Sequence, residues 1–268
     1  MEDELMTNIM NEVMKKIGVQ AEENVKAEVK IEPAKKKKCS LTEFIGTARG
    51  NTIGLVIANV DHQLHGMMKF DKKYKSIGIV GGRTGAGPQI FAADEAVKST
   101  NSEILLIELP RDTEGGGGHG SLIVFGAEDV SDARRAVEVT LNELDRTFGD
   151  VYGTEAGHLE FQYTARASYA VNKAFGAPIG KAFGITVGAP AAIGIVLADT
   201  AVKAATVDPI AYSTPGNGGT SFSNEVICGF TGDSGAVRQA IIAARDVGKQ
   251  LLATLGDDEV KSTTVPYI

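Results

Sequence analysis

The residues able to do chemistry are few: four histidines, two cysteines and a scatter of carboxylates. Asp61, His62 and His65 have metal-ligand spacing on a helix. No third strong ligand lies near them, and solvated histidines are common, so no metal is expected. Gly115-Gly116-Gly117-Gly118-His119-Gly120 formally satisfies G-x-G-x-x-G. A dinucleotide site needs that turn between a strand and a helix, so that the helix N-terminus holds the pyrophosphate. Here the glycines run into Ser121–Phe125, which reads as a strand. Gly81–Gly87 lacks the Gly-Lys-Ser/Thr ending of a phosphate-binding loop. Both stretches read instead as places where backbone turns or approaches a neighbour closely. No nucleophile, base and orienting group surround His119, which is expected to line a surface. Cys39 and Cys228 form no disulfide framework and cannot supply a four-ligand zinc or iron–sulfur site. A cluster shared across an oligomer axis stays formally open. No catalytic residue and no cofactor is expected.

Two further pairs carry more information because the chain repeats them. Ala93-Asp94-Glu95-Ala96-Val97-Lys98 returns 105 positions later as Ala198-Asp199-Thr200-Ala201-Val202-Lys203. The register persists downstream, with Leu122–Phe125 falling on Ile227–Phe230 and Arg134 near Arg238. A repeat this long is a duplicated domain rather than a solenoid unit. Asp94 and Asp199, at the same step of both copies, read as structural or interface residues rather than as an acid–base pair. Lys98 and Lys203 read as repeated contacts, since an ammonium has three donors and can bridge carbonyls across a symmetric edge.

These residues must be positioned by similar elements in each copy. In the first, Thr52–Ala58 and Ile77–Gly81 read as strands flanking a short helix at 61–69. Pro88 is expected to open a helix with Ile90, Phe91, Ala93, Ala96 and Val97 on its buried stripe. Glu103–Leu109 and Ser121–Phe125 follow as strands around the glycine loop, and Asp129 is expected to cap a helix burying Val130, Ala133, Ala136, Val137, Leu141 and Leu144. The second copy reads as strand Leu159–Thr164, helix Arg166–Phe175, strand Phe183–Val187, helix Ile193–Ala205, and strands Val207–Tyr212 and Glu225–Phe230. Asp233 then caps a final helix. The fold class expected is α+β, two small antiparallel sheets packed with helices.

The chain has 268 residues, is 43% hydrophobic and carries a net charge of −7. Two domains, 39–149 and 150–268, suit that length, and the negative charge argues against a nucleic-acid partner. No apolar run is long enough to span a membrane and no signal peptide opens the chain. Residues 1–38 differ from the rest. Leu5, Met6, Ile9, Met10, Val13, Met14 and Ile17 recur at helical spacing, and a Glu/Lys-rich linker ending in Lys35–Lys38 follows. A helix this short is unstable alone, so its stripe needs a partner, either the first domain's core or a docking groove elsewhere.

At these residues the chain resembles the bacterial microcompartment shell family. Family domains carry the Ala-Asp-x-x-Val-Lys helix, a strand–glycine-loop–strand hairpin and a Gly-Asp-x-x-Ala-Val-Lys/Arg helix, here Gly232–Arg238. The first copy departs from the last motif, reading Gly126-Ala127-Glu128-Asp129 at its start. The resemblance covers nearly everything from Cys39 onward and is nearest the tandem-domain, trimeric class of propanediol- and glycerol-utilising shells. It implies two circularly permuted domains and a homotrimer forming a six-domain disc that tiles a shell in the cytoplasm alongside other shell proteins. It also implies pores for small polar solutes such as glycerol or 1,2-propanediol. Expected lining is Asp112, Glu114, Gly115, Gly116, Gly117, Gly118 and His119 in the first copy. Gly216, Asn217, Gly218, Gly219, Thr220 and Ser221 line the second. Lys98 and Lys203 are expected at trimer edges, and the N-terminal helix on encapsulated enzymes. A ligand-binding or sensory trimer of the same fold is the alternative, with a nucleotide-dependent enzyme more distant.

Overall fold

The computed structural model describes residues 39–111, 119–220 and 223–268. The first half forms a five-stranded antiparallel sheet from β1 (Phe44–Ala48), β2 (Thr52–Ile57), β3 (Ser76–Gly82), β4 (Glu103–Glu108) and β5 (Ser121–Ala127), in the order β1-β2-β3-β5-β4. Helices α1 (His62–Met68), α2 (Ala86–Ser99) and α3 (Val130–Thr147) accompany it. The second half repeats the plan with β6 (Val151–Thr154), β7 (Gly157–Thr164), β8 (Ala182–Ala189), β9 (Val207–Ser213) and β10 (Val226–Gly232), plus helices α4 (Tyr169–Phe175), α5 (Ala191–Ala204) and α6 (Ser234–Leu252). A two-residue strand, β11 (Lys261–Ser262), joins its edge, giving β11-β6-β7-β8-β10-β9. Even the irregularities repeat: β4 and β9 each slip register against their partner at the same step.

Close helix–sheet approach explains glycines that no turn requires. A Cβ on Gly78 of β3 would stand 2.7 Å from the Ala133 carbonyl and 2.8 Å from Val137 of α3. One on Gly184 of β8 would stand 2.7 Å from Ile241 of α6. Both long helices lie almost on the sheet backbone, which leaves no room for a side chain beneath them. Helix α2 is buried nearly all round, from Ala86 to Asp94 and again at Ala96, and its buried polar residues Gln89 and Asp94 are hydrogen-bonded within the fold. Its core cluster joins Ile90, Phe91 and Val137 to Phe183, Ile185 and Val187 of the other half, so the two sheets share packing.

Several expectations are corrected here. Helix α2 begins at Ala86 behind Gly85 (φ +74°), so Pro88 is its third residue, where a missing N–H is still harmless. Asp129 holds the cap position of α3 without a side-chain cap bond, whereas Asp233 caps α6 through Gly235 and Ala236 as expected. Val130 is exposed rather than buried. Helix α4 starts at Tyr169 instead of Arg166, because the Arg166, Ala167 and Ser168 amides bond Thr164, Lys181 and Asp94. Helix α5 starts two residues early, at Ala191. The expected N-terminal helix through Leu5, Met6, Ile9, Met10, Val13, Met14 and Ile17 lies outside the described residues.

Candidate functional site

The polar groups the structure brings together lie along the seam between the halves. At one place Asp94 of α2, fully buried, accepts the backbone N–H groups of Ser168, Ala170 and Val171 at 3.0–3.2 Å, fixing the first turn of α4. Lys98, one turn on, reaches Asp94 (3.0 Å), Glu95 (2.8 Å) and the Thr164 hydroxyl (3.3 Å). Burial pushes the Asp94 carboxyl up, and Lys98 and the Val171 and Ser168 amides offset it only in part. Phe91 stacks on Phe183 across the same seam at 6.1 Å between ring centres, and Phe175 stacks on it at 5.8 Å. The repeated Asp199 is exposed, and among the described residues it bonds no backbone amide and pairs only with Lys203, at 2.7 Å.

At a second place four titratable side chains are buried together. His119 Nδ1 lies 2.5 Å from Glu225 Oε1, and His158 Nε2 lies 3.0 Å from Glu225 Oε2. Glu160, between Leu159 and Phe161 on β7, completes the group, against the Gly87 amide in the first turn of α2. Burial drives the Glu160 carboxyl up to about 7, which His158 and His119 resist and Glu225 reinforces. Burial also opposes ionisation of Glu225, but hydrogen bonds from both histidines prevail and hold it down at about 2. His119 is pulled down by burial yet ends above its ordinary value because Glu225 binds the imidazolium. Two carboxylates in one buried site are thus driven apart, Glu225 downward and Glu160 upward. An open cleft of about 190 Å³ lies beside them, lined by Arg111, Glu155, His158, Pro190, Asn224 and Glu225 among others. It has room for a small polar molecule and a choice of donors and acceptors to hold one.

A third polar knot holds residues 267–268 against the seam. Buried Asp150 accepts from Arg245 (2.9 Å), the Tyr267 amide (2.9 Å) and the Ile268 amide (3.0 Å). The Tyr267 hydroxyl donates to Gln162 at 2.9 Å.

The expected site residues are distributed unevenly over this frame. His119, expected to line a surface, is buried, where it pairs with Glu225, and Thr220 is likewise fully buried. Gly216, Asn217, Gly218 and Gly219 form a tight turn behind β9, with Asn217 bonded to the amides of Thr214 and Gly219. Asp112, Glu114, Gly115, Gly116, Gly117, Gly118 and Ser221 lie outside the described residues. Asp61 bonds the Gln63 amide and His65 turns inward to the Tyr74 carbonyl (3.1 Å), so these two serve the local fold. Cys39 is exposed, and burial raises the Cys228 thiol to about 11. Sequence reasoning missed Glu160, Glu225, His158 and Asp150. A charged residue between two large apolar ones inside a strand, as in Leu159-Glu160-Phe161, was the available signal for the first.

The comparisons agree with this architecture. The BMC domain family model matches residues 182–262. The bacterial microcompartment shell protein PduB of Salmonella typhimurium is 59% identical over 269 residues, covering 99% of both chains. PduB of Citrobacter freundii is 66% identical over 232 residues, covering 87% of this chain and 85% of the relative. A crystal structure of a trimeric bacterial microcompartment shell protein PduB superposes with a TM-score of 0.81 at 52% identity, covering 85% of this chain and 100% of that one. No helix among the described residues is long and apolar enough to cross a membrane. With relatives this similar along the whole chain, and two like sheets locked by a buried seam, the chain belongs to the PduB family of bacterial microcompartment shell proteins.

Proposed function

We propose that three copies of this structural shell protein form a six-domain disc that tiles a microcompartment facet and passes small uncharged polar solutes. The two domains are residues 39–149 and 150–268, with residues 1–38 a tether. The observation that carries the reading is the seam: two halves of the same strand order, fixed by Asp94, by the Glu225 group and by shared apolar packing. Two similar rigid edges per chain suit a closed ring about a threefold axis, and the relative of known structure is trimeric. Lys98 and Lys203 are assigned to trimer edges, where Lys203 has one partner and an exposed ammonium.

The solute path is assigned to the loops 110–120 and 213–223. The neighbouring cleft offers Arg111, His158 and Asn224 to hydroxyl groups, which favours a glycerol- or 1,2-propanediol-like molecule over a bare ion. The same cleft supports a second reading, a trimer that retains a small ligand instead of passing it. The N-terminal stripe from Leu5 to Ile17 is assigned to encapsulated enzymes, Met supplying an adaptable surface.

Electron micrographs of the purified protein test the reading directly. Extended sheets of trimer-sized units are expected; a protein that remains dispersed at high concentration and binds a polyol tightly supports the second reading instead. Removing residues 1–38 is expected to leave sheets intact while enzymes no longer co-purify with shells. Enzymes retained by such shells would remove the tether.

A further inference from the structure

A second cleft, of about 580 Å³, is lined from α2 and α3 of the first half and from α6 and the end of β7 of the second. Four cations line it, Lys98, Arg146, Arg166 and Arg238, against two carboxylates, Glu95 and Glu143. That balance reverses the one in the whole chain, which carries 34 acidic residues and 27 lysines and arginines. Both carboxylates are already engaged on their own helices. Glu95 pairs at 2.8 Å with Lys98, whose ammonium Asp94 also holds, and Glu143 pairs with Arg146 at 2.7 Å. Arg146 lies over the Tyr267 ring as well, 5.0 Å from its centre. Among the described residues neither the Arg166 nor the Arg238 guanidinium has a hydrogen-bond, ion-pair or ring partner. In the first half Arg134, near Arg238 in register, donates to the Thr42 carbonyl at 3.3 Å.

The backbone beneath these two arginines is held in place. The Thr164 hydroxyl accepts from the Arg166 amide (3.3 Å) and donates to the Arg166 carbonyl (3.2 Å), fixing the turn after β7. The Tyr163 hydroxyl lies 2.6 Å from Ser234 Oγ at the start of α6. Ser234 and Arg238, four residues apart, share one face of that helix. The Tyr163 link therefore sets the turn that carries Arg166 against the face that carries Arg238. Tyr267, its hydroxyl bonded to Gln162 at 2.9 Å, gives the cleft a second fixed aromatic wall.

We infer that this cleft binds a small organic phosphate, with Arg166 and Arg238 clamping the phosphate group. A guanidinium offers five N–H donors in a fixed fork and no acceptor, a geometry that phosphate oxygens match. Two unpartnered forks suit a group with two charges. A phosphate monoester carries about −1.5 to −2 near pH 7 on three oxygens, whereas a carboxylate carries one charge and fills one fork. The cleft is larger than a bare phosphate fills, and Tyr163, Ala165 and Tyr267 offer apolar surface to an organic body. Lys98 and Arg146 are spent on Glu95 and Glu143, so recognition rests on the other two cations. The inference does not depend on tiling, since no neighbouring chain contributes a residue to the site.

Calorimetric titration of the full chain with phenyl phosphate, inorganic phosphate and benzoate tests it. Phenyl phosphate is expected to bind most tightly. Benzoate, with the same ring, is expected to bind about tenfold or more weakly, because one fork goes unused. Inorganic phosphate is expected to bind more weakly for want of the ring. Arg166→Gln with Arg238→Gln is expected to weaken phenyl phosphate binding by about tenfold for each fork lost. Its circular dichroism is expected to match the wild type, since both side chains are exposed. Should the double variant fail to fold, Arg238→Gln alone reads the same site, and Arg238→Lys is expected to restore only part of the affinity, because a point charge replaces the fork. Benzoate bound as tightly as phenyl phosphate overturns the phosphate class, and inorganic phosphate bound as tightly overturns the organic body. A wild type that binds none of the three, or arginine variants that bind phenyl phosphate as the wild type does, overturn the site.

Discussion

Asp94 and Asp199 stand at the same step of the same motif, four residues ahead of the same lysine, yet their surroundings have nothing in common. Asp94 is enclosed, holds three backbone amides of the other half and shares a lysine with Glu95 and Thr164. Asp199 is exposed and, among the described residues, pairs only with Lys203. Identical residues thus do a full structural task in one copy and almost none in the other, within a single chain. The difference comes from what lies opposite: α4 meets Asp94 of the first helix, and no described element takes that place over Asp199.

The largest expected effect follows directly. Asp94→Ala leaves three buried N–H donors without an acceptor and Lys98 without its main partner. Breaking a buried, hydrogen-bonded charge site costs about 3–5 kcal/mol. Asp199→Ala removes an exposed i,i+4 pair worth about 0.3–0.5 kcal/mol in a single chain. Urea titration of the two variants at low protein concentration checks the contrast. Equal losses would break the comparison and place Asp199 in a contact as well built as that of Asp94.

Much of this frame was readable from residues alone. The strands β2, β3, β5, β8 and β10 are apolar runs bounded by glycine, and the long helices carry regular stripes, so period and punctuation sufficed. The short strands β1, β6 and β11 were not readable. They are two to five residues long, too short for a pattern to show, and are defined by pairing, as when Lys261 and Ser262 meet Gly153 and Tyr152. The seam was harder still. The polar character of the loop around His119 suggested solvent, but its partner Glu225 is distant in sequence, and only the packing of two halves reveals that both are buried. Asp94 was recognised as structural because it repeats; that its copy would be bare could not be read, because coverage depends on which half lies beside which.

The second effect sharpens the comparison by pH. Glu160 is raised in the folded protein from 4.5 to about 7, so folding binds a proton in that interval and stability falls as pH rises through it. His119 is raised above 6.5; its contribution is full below that value and is lost as pH rises through the higher folded value. Glu225 is depressed to about 2, so its contribution is present above 4.5 and is lost as pH falls toward 2. The seam is therefore expected to be strongest near pH 5 and weaker by roughly 1–3 kcal/mol above neutrality. Glu160→Gln is expected to flatten the fall between pH 4.5 and 7, read as unfolding free energy against pH. A slope unchanged by Glu160→Gln would assign the pH dependence to groups away from the seam.

The smallest effect on a single chain concerns the lysines, and it separates folding from assembly. Lys98→Ala removes three charge-assisted contacts from a side chain that is 24% exposed. Asp94 keeps its amides, so the loss is expected near 1 kcal/mol, within the range for a half-screened charged hydrogen bond. Lys203→Ala is expected to cost less than about 0.5 kcal/mol, because its ammonium and the Asp199 carboxylate are both well hydrated. On fold alone the two variants therefore differ in the same direction as the two aspartates, by a smaller margin. If both lysines stand at trimer edges, the ranking does not extend to tiling: each variant is expected to leave trimers intact and to reduce sheet formation. Lys203→Ala is expected to reduce it at least as strongly, since its ammonium has fewer acceptors within the chain and more donors to offer a neighbour. Sheet yield against protein concentration, with trimer mass checked in parallel, reads this. Sheets formed as readily by Lys203→Ala as by the wild type would remove Lys203 from the edge.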